Sequence, residues 1–350
     1  MWEFLRNANG CNSFSLSLKF MPKPLVSFIV PVLNGEKYIG RCLGSIQRQN
    51  FTAGEYEIIV LDNGSADRTL AIIQRLGVAC EVLRNLNVSA LRNYGVLKSK
   101  GRYLAFVDSD VELLPEWITN GLAAFQERGV VGVGCFPVVP PNSTWVQKAW
   151  DLHQRKHQSE ASMWPISWLP SMNLIVKRDD FIAIKGFNEK LETAEDVDLC
   201  YRLGERGVII CNSAMKAIHW GEAPDLRTFW RKEVWRGLGN IQGIFSHGLR
   251  WEEVPSIGYP IYILLFALAF FLGSLVDFLN QQIFMSPLAL ILLAIPPFLL
   301  ALHTTFVAKA PLFLPHLFLI YLVYGFARAY ALVKSLSHGG IFLRVTAHSD

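Results

Sequence analysis

Charge is what this 350-residue chain has least of. Asp, Glu, Lys and Arg make up 18% of it, against 51% hydrophobic residues, whereas an average soluble domain is about one quarter charged. The deficit is local. Between residues 254 and 308 Asp277 is the only one of these four types, while the preceding part has ordinary soluble composition. This implies a soluble domain followed by a membrane region. The net charge of +4 is too mild to argue for nucleic acid as a partner. Cysteine is sparse and unpatterned: Cys11, Cys42, Cys80, Cys135, Cys200 and Cys211 contain no CxxC pair and no metal-ligand spacing. Reduced thiols in a cytosolic domain are favoured over a disulfide framework. Residues 1–24 lack a long apolar core and a clear cleavage site, so they read as an N-terminal extension rather than a secretory signal. The chain shows neither internal repeats nor low-complexity segments.

What is present alternates. Residues 26–32, Val-Ser-Phe-Ile-Val-Pro-Val, form an apolar run bounded by Pro24 and Asn34, which suits a buried parallel strand. Asn34 opens a helical stretch carrying Ile39, Cys42, Leu43 and Ile46. Residues 57–61 predict a second strand, ending in the turn Asp62-Asn63-Gly64-Ser65, and Asp67 is the expected N-cap of the next helix. A strand at 78–83, a helix at 89–100 and a strand at 103–107 follow. Further helices are expected at 116–128, 145–157 and 195–206, with strands at 171–176 and 208–211. Strands and helices of these lengths imply right-handed βαβ units on a parallel sheet. Ligands of such sheets bind beyond the carboxyl ends of the strands, where Asp62 and Asp108 fall.

The pattern changes at 225–252. Leu226, Trp230, Val234, Leu238, Ile241 and Phe245 recur at helical spacing, with Arg227, Arg231, Lys232 and Arg236 between them. An amphipathic helix of this kind suits the headgroup boundary of a bilayer, and equally suits packing on the domain. Its position just before the membrane region favours the interface. Three apolar segments follow, at 257–276, 283–308 and 312–333, each about long enough to cross the hydrocarbon layer. Basic residues flank the first on its N-terminal side, and none lies between the first and second, which puts the soluble domain in the cytoplasm. Three crossings would leave Lys334 and Arg344, in the C-terminal tail of 334–350, outside. Pro287, Pro296 and Pro297 offer the alternative of a broken middle segment and two crossings. The balance tips slightly to three.

Two acidic pairs carry the chemistry. Asp108-Ser109-Asp110 follows the strand at 103–107, and two carboxylates in such a turn can hold a divalent cation that keeps waters and phosphate oxygens in its shell. A solvated turn is the alternative. Glu195-Asp196 opens a helix. One of its carboxylates can act as general base toward an acceptor hydroxyl, or both simply favour the helix N-terminus.

Taken together, these blocks resemble a known family. Phe28-Ile29-Val30-Pro31-Val32-Leu33-Asn34-Gly35, the turn Asp62-Asn63-Gly64-Ser65-Ala66-Asp67 and Ala90-Leu91-Arg92-Asn93-Tyr94-Gly95 are similar to blocks of the family 2 inverting glycosyltransferases. Asp108-Ser109-Asp110, Gly186-Phe187-Asn188-Glu189 and Glu195-Asp196 continue the resemblance in the family's order, over about residues 26–219. It implies a GT-A fold over 25–224: an α/β, Rossmann-like nucleotide-binding half with a mixed sheet, joined to an acceptor half. It also implies a nucleotide-sugar donor and a divalent metal, Mg²⁺ or Mn²⁺. Pro31, Asn34, Glu36, Asp62 and Asn63 are the implied nucleoside-side contacts, and Arg92 and Asn93 support the diphosphate region. Asp108 and Ser109 lie near the ribose and metal, Asp110 is the direct metal ligand, and Asp196, beside Glu195, is the base. His219 matches a position near the diphosphate or metal, with a structural role beside Trp220 as the alternative. Two departures stand out: Asn63 where many members carry a second Asp, which leaves the nucleotide open, and Leu33 where an aromatic is common.

The function this implies is transfer of a sugar, with inversion, to a hydroxyl of a lipid-linked or membrane-associated saccharide at the cytoplasmic face of the membrane. A polyprenyl-phosphate sugar synthase is the first rival. Its acceptor is already ionised and needs no base, so Glu195-Asp196 favours a hydroxyl. A processive synthase is disfavoured by the lack of a Gln-x-x-Arg-Trp block. A catalytically silent membrane scaffold is disfavoured by the intact carboxylates.

Overall fold

The computed structural model describes residues 23–52, 54–155, 161–247 and 251–337. The expected extension at the N-terminus, Cys11, the end of the helix expected at 145–157 and Arg344 in the tail lie outside the described residues. The chain divides into two compact units, one of residues 1–135, 163–189 and 199–216, the other of residues 136–162, 190–198 and 217–350.

The strands of the first unit are β1 (Val26–Val32), β2 (Tyr56–Asp62), β3 (Cys80–Val82), β4 (Tyr103–Val107), β5 (Val111–Leu113), β6 (Val130–Gly134), β7 (Met163–Pro165), β8 (Asn173–Lys177) and β9 (Val208–Asn212). All but β5 form one sheet, in the order β3-β2-β1-β4-β8-β6-β9-β7. β1, β2, β3 and β4 run parallel, β8 runs antiparallel to β4 and β6, and β7 antiparallel to β9. The sheet is therefore mixed, and strand β10 (Ala217–His219) lies in the second unit.

β1 is central and buried at all seven positions, which is why its sequence is apolar without alternation. Phe28 sits 5.9 Å from Trp117 and 5.8 Å from Tyr56, ring centroid to ring centroid. Helices α1 (Ile39–Gln47), α2 (Thr69–Arg75) and α3 (Val88–Lys98) make the crossovers, with α4 (Trp117–Ala124) and α6 (Arg178–Ala183) further along. Helix α7 (Glu195–Gly204) begins in the second unit and ends in the first.

Two local expectations shift. The first helix starts at Ile39 rather than at Asn34. Asn34 holds φ at 50° and spends its backbone N–H on Ser65 and its side-chain oxygen on Ala66, so residues 34–38 serve the neighbouring loop. Asp67 likewise is not the N-cap, which is Arg68. Its carboxylate instead accepts from the Thr69 N–H and hydroxyl and from the Glu36 N–H.

The second unit holds α5 (Trp145–Arg155), α8 (Leu226–His247), α9 (Val254–Asn280), α10 (Met285–Val307) and α11 (Leu314–Ser337). Three of its helical segments, Val254–Asn280, Met285–Val307 and Pro311–Leu336, are long and apolar enough to cross a membrane. Pro296 and Pro297 lie inside α10 without ending it, so the prolines do not break the middle segment. In α8 the buried line is Phe229, Glu233 and Gly237, with Leu226, Trp230, Val234 and Leu238 only half-buried. The apolar periodicity thus misses the buried stripe by one position, because a carboxylate and a glycine occupy it.

Candidate active site

The parallel register places the carboxyl ends of β1, β2 and β4 along one edge of the sheet. Asn34 and Glu36 follow β1, Asp62 ends β2 and Asp108 follows β4. Asp62 is fully buried. One carboxylate oxygen accepts the Gly64 and Ser65 N–H groups at 2.8 and 2.7 Å, with Gly64 at φ 86°. The other oxygen is buried with no hydrogen-bond partner, and an unpaired buried oxygen at the carboxyl edge of the sheet has to be explained. Asn63 is tied to Leu86 twice, accepting its N–H and donating to its carbonyl. An Asp at this position could only accept, so Asn63 closes the β2 and β3 loops in a way the more common residue cannot. Glu36 accepts from the Arg68 backbone and guanidinium at 3.1 Å; the Arg68 hydrogen bonds hold its carboxyl below the usual range. Asn34 and Glu36 are therefore brought to the loop after β2 as braces. Pro31 is buried within β1 beside Leu61 of β2.

Arg92 is almost fully buried on α3 and donates to Asp108 at 2.7 Å. Its guanidinium also lies 5.2 Å from the Phe187 ring centroid. Taking a guanidinium out of water is costly unless it is paired, and Asp108 supplies the pair. Asn93 is buried beside it and is spent entirely on the 186–189 turn: it accepts the Phe187 N–H and donates to the Phe187 carbonyl and the Glu189 carboxylate, each at 2.9 Å. Gly186 stands at φ 69°, and a Cβ there would lie 2.5 Å from the Asn93 side-chain oxygen. A Gly186→Ala change is expected to cost about 2 kcal/mol of stability, from left-handed strain plus the lost Asn93 contact. Thermal unfolding measures it, and an unchanged melting temperature would contradict the geometry.

At the Asp108–Asp110 turn the Val111 N–H donates to the Asp108 carbonyl, and Ser109 is half-buried near Gly35. Cys42, on α1, donates its thiol to the Asp108 carbonyl. Burial pushes that thiol well above its usual value, and the negative charges of Asp110 and Asp108 push it further. The turn is thus a region of negative potential. Among the described residues, no group of three or more His, Cys, Asp or Glu side chains is arranged to hold a metal ion. A hard cation here would draw on one or two carboxylates and take the rest of its shell from waters and phosphate oxygens, which is how Mg²⁺ binds. The oxygen donors and the negative field fit such an ion.

The remaining residues belong to the second unit. Glu195 and Asp196 are half-exposed in the first turn of α7, after Ala194 at φ 62°. Left-handed backbone at an alanine costs roughly 1–2 kcal/mol, so packing must hold it. That packing includes α8: Gly239 approaches Thr193 so closely that a Cβ on the glycine would overlap the threonine side chain. His219 is buried, with Nδ1 3.1 Å from Oε1 of Glu222. Burial alone would raise the Glu222 carboxyl. The His219 hydrogen bond and the His219, Arg236 and Lys232 charges outweigh burial and hold it below the usual range. Burial opposes the Arg236 cation, yet the charges of Glu233, Glu222 and Asp196 hold its pKa above the ordinary arginine value. Glu222, Glu233 and Arg328 were not singled out by the sequence. A lone Arg328 in an apolar segment was the available signal, since such residues rarely stand without a partner.

An eight-stranded mixed sheet with this acidic carboxyl edge is the GT-A type of glycosyltransferase fold. One solved structure with the same fold is the mannosyltransferase PcManGT from Pyrobaculum calidifontis in complex with GDP-Man and Mn²⁺, at a TM-score of 0.58 and 18% identity, covering 90% of this chain and 88% of that one. Residues 27–184 match the family model described as Glycosyl transferase family 2, so the chain carries a glycosyltransferase domain. Glycosyltransferase AglE of Haloferax volcanii is 29% identical over 226 residues, 63% of this chain and 74% of that protein. Validoxylamine A glucosyltransferase of Streptomyces hygroscopicus subsp. limoneus is 26% identical over 242 residues, 59% of this chain and 53% of its own length. The chain therefore spans only about half of the latter relative.

Proposed function

We propose that this chain transfers a sugar from a nucleotide-sugar donor, with inversion, to a hydroxyl of a lipid-linked or membrane-associated saccharide at the cytoplasmic face of a membrane. The observation that carries the reading is the pair of carboxylates, Asp62 and Asp108, at the carboxyl edge of three adjacent parallel strands, one with a buried oxygen lacking a partner and the other held by Arg92. That oxygen of Asp62 accepts an N–H from the nucleobase, and Pro31 and Asn63 complete the nucleoside side. Arg92 orients Asp108 toward the ribose and diphosphate. Asp110, with Asp108, is the protein's contribution to a divalent cation, and His219, oriented by Glu222, supports the diphosphate. When bound, the cation supplies positive charge for the leaving nucleoside diphosphate; PcManGT, of the same fold, is a complex with GDP-Man and Mn²⁺.

Asp196 removes the proton from the acceptor hydroxyl as that oxygen attacks the anomeric carbon from the face opposite the leaving group. The new C–O bond forms as the bond to the diphosphate breaks, the bonding pair leaves with the diphosphate, and the proton passes to Asp196. A single displacement inverts the anomeric centre, unlike the two steps of a retaining hydrolase. Apolar helices of the second unit keep the enzyme with its acceptor. The test is a panel of nucleotide sugars offered to the purified protein with membrane lipid extract. Release of nucleoside diphosphate coupled to label in the lipid fraction is expected, and release equally fast without lipid would contradict the membrane acceptor.

A further inference from the structure

The three apolar helices differ in what covers them. Of the most apolar window of each, 11% is buried in the first, 22% in the second and 39% in the third. α9 and α10 leave Phe271, Phe278, Leu290, Ile291 and Leu299 exposed. α11 packs on both of them, through Tyr259 of α9, whose hydroxyl donates to the Tyr321 carbonyl, and through Thr304 of α10, and it lies in addition against the polar helices α5 and α8 of its own unit. Its Tyr321 hydroxyl is 2.9 Å from His153 Nδ1 on α5 and 2.7 Å from Thr304 of α10. Tyr324 packs on Trp150 of α5 at 6.0 Å, and Tyr330 on Trp230 of α8 at 6.1 Å. Arg328 pairs at 3.0 Å with Glu233 of α8, which is fully buried and also pairs with Arg236 at 2.6 Å. A Cβ on Gly237 would meet Ala331 and Arg328. These contacts run along about 15 Å of α11, the rise of ten residues.

A helix so covered cannot stand across hydrocarbon by itself. If α11 crossed the bilayer, the stretch of α8 bound along its middle would go with it, and Arg231, which is exposed, and Lys232 would enter the apolar layer. Charged side chains at that depth are strongly disfavoured. We infer that α9 and α10 alone form the bilayer-crossing unit, a hairpin whose partner is the lipid acyl layer, and that α11 docks onto α5 and α8 on the side from which the hairpin enters.

Two further features agree. The hairpin turn is polar: Gln281 is left-handed, and the Asp277 carboxylate accepts the Phe284, Met285 and Ser286 N–H groups and the Ser286 hydroxyl, which caps α10. This puts the one acidic residue of the stretch at the hairpin tip, at headgroup level, rather than in mid-membrane. The hairpin loop carries no Lys or Arg, whereas Arg227, Arg231, Lys232 and Arg236 precede the hairpin and Lys309, Arg328, Lys334 and Arg344 follow it. Two crossings keep all eight on one side, as the positive-inside rule requires; three would strand Lys334 and Arg344.

The inference rests on membrane attachment, and full-length single-site variants in sealed membrane vesicles test it. Arg231→Cys, Gln282→Cys and Leu336→Cys are labelled with a membrane-impermeant maleimide in right-side-out and in inverted vesicles, each read against the wild-type chain. The expected result is that Arg231→Cys and Leu336→Cys label from one face and Gln282→Cys from the other. Labelling of Leu336→Cys from the face opposite Arg231→Cys would overturn the inference in favour of three crossings. Labelling of all three from one face would overturn it in favour of a hairpin that does not cross. Release of the protein into the wash with alkaline carbonate would instead overturn membrane attachment itself.

Discussion

The Asp196→Asn variant is expected to lose transfer by about 10²–10⁴-fold, the usual contribution of a positioned general base, while its affinity for the nucleotide-sugar donor stays within about twofold. The substitution keeps shape and removes only the proton acceptor. Asp196 is half-exposed at the start of α7, where its side chain accepts the Val197 N–H at 2.9 Å and Arg236 lies within its electrostatic reach. Asparagine can still accept that backbone bond, so the fold of the turn survives. Steady-state transfer rates and direct donor titration separate the two effects. Near-normal transfer would show that no base is needed and would favour an acceptor that is already ionised, a lipid phosphate.

Asp110→Ala is expected to weaken donor binding by about tenfold or more in the presence of Mg²⁺ or Mn²⁺, and to abolish the difference that a chelator makes in the wild type. The loss of one carboxylate from a turn that offers only two removes half of the protein's charge toward the cation. The neighbouring thiol supplies a control that does not depend on activity. Burial and the charges of Asp110 and Asp108 hold Cys42 high, so removing Asp110 should lower that thiol toward its usual value, by an amount limited by the burial that remains. Donor titration with and without chelator reads the first effect. Equal affinities for wild type and variant, with the chelator making no difference to either, would contradict the metal assignment.

Much of the first unit was legible because its signals are local. The apolar run at 26–32 and the strand before Asp108 lack alternation because both faces are covered, and that pattern announces a parallel central strand. The carboxylates at the ends of β2 and β4 could be placed at the carboxyl edge of the sheet from strand order alone. The detail of the loops was less accessible. Asn34 and Asp67 have the composition of helix starts, but each is consumed by the loop opposite it in space, a pairing across 31 or 32 residues that no local rule contains. Asn93 reads as a polar neighbour of Arg92, yet its bonds all go to residues more than ninety positions away. In α8 the periodicity pointed to Trp230 and Val234, because Glu233 does not look like a core residue until Arg328 and Arg236 are beside it. Arg236, expected to face lipid headgroups, is instead half-buried in that ion-pair network. Arg227, Arg231 and Trp235 form the exposed line.

The most direct test of the central claim is the stereochemistry of the product. Purified protein in lipid vesicles, given a nucleotide sugar of defined anomeric configuration and a saccharide-lipid acceptor, is analysed by proton NMR of the newly formed glycosidic linkage. Direct displacement with Asp196 as base predicts release of one nucleoside diphosphate per sugar transferred and a linkage of the opposite anomeric configuration to the donor. A product that retains the donor's configuration, or transfer that continues unchanged when Asp196 is replaced, would contradict it.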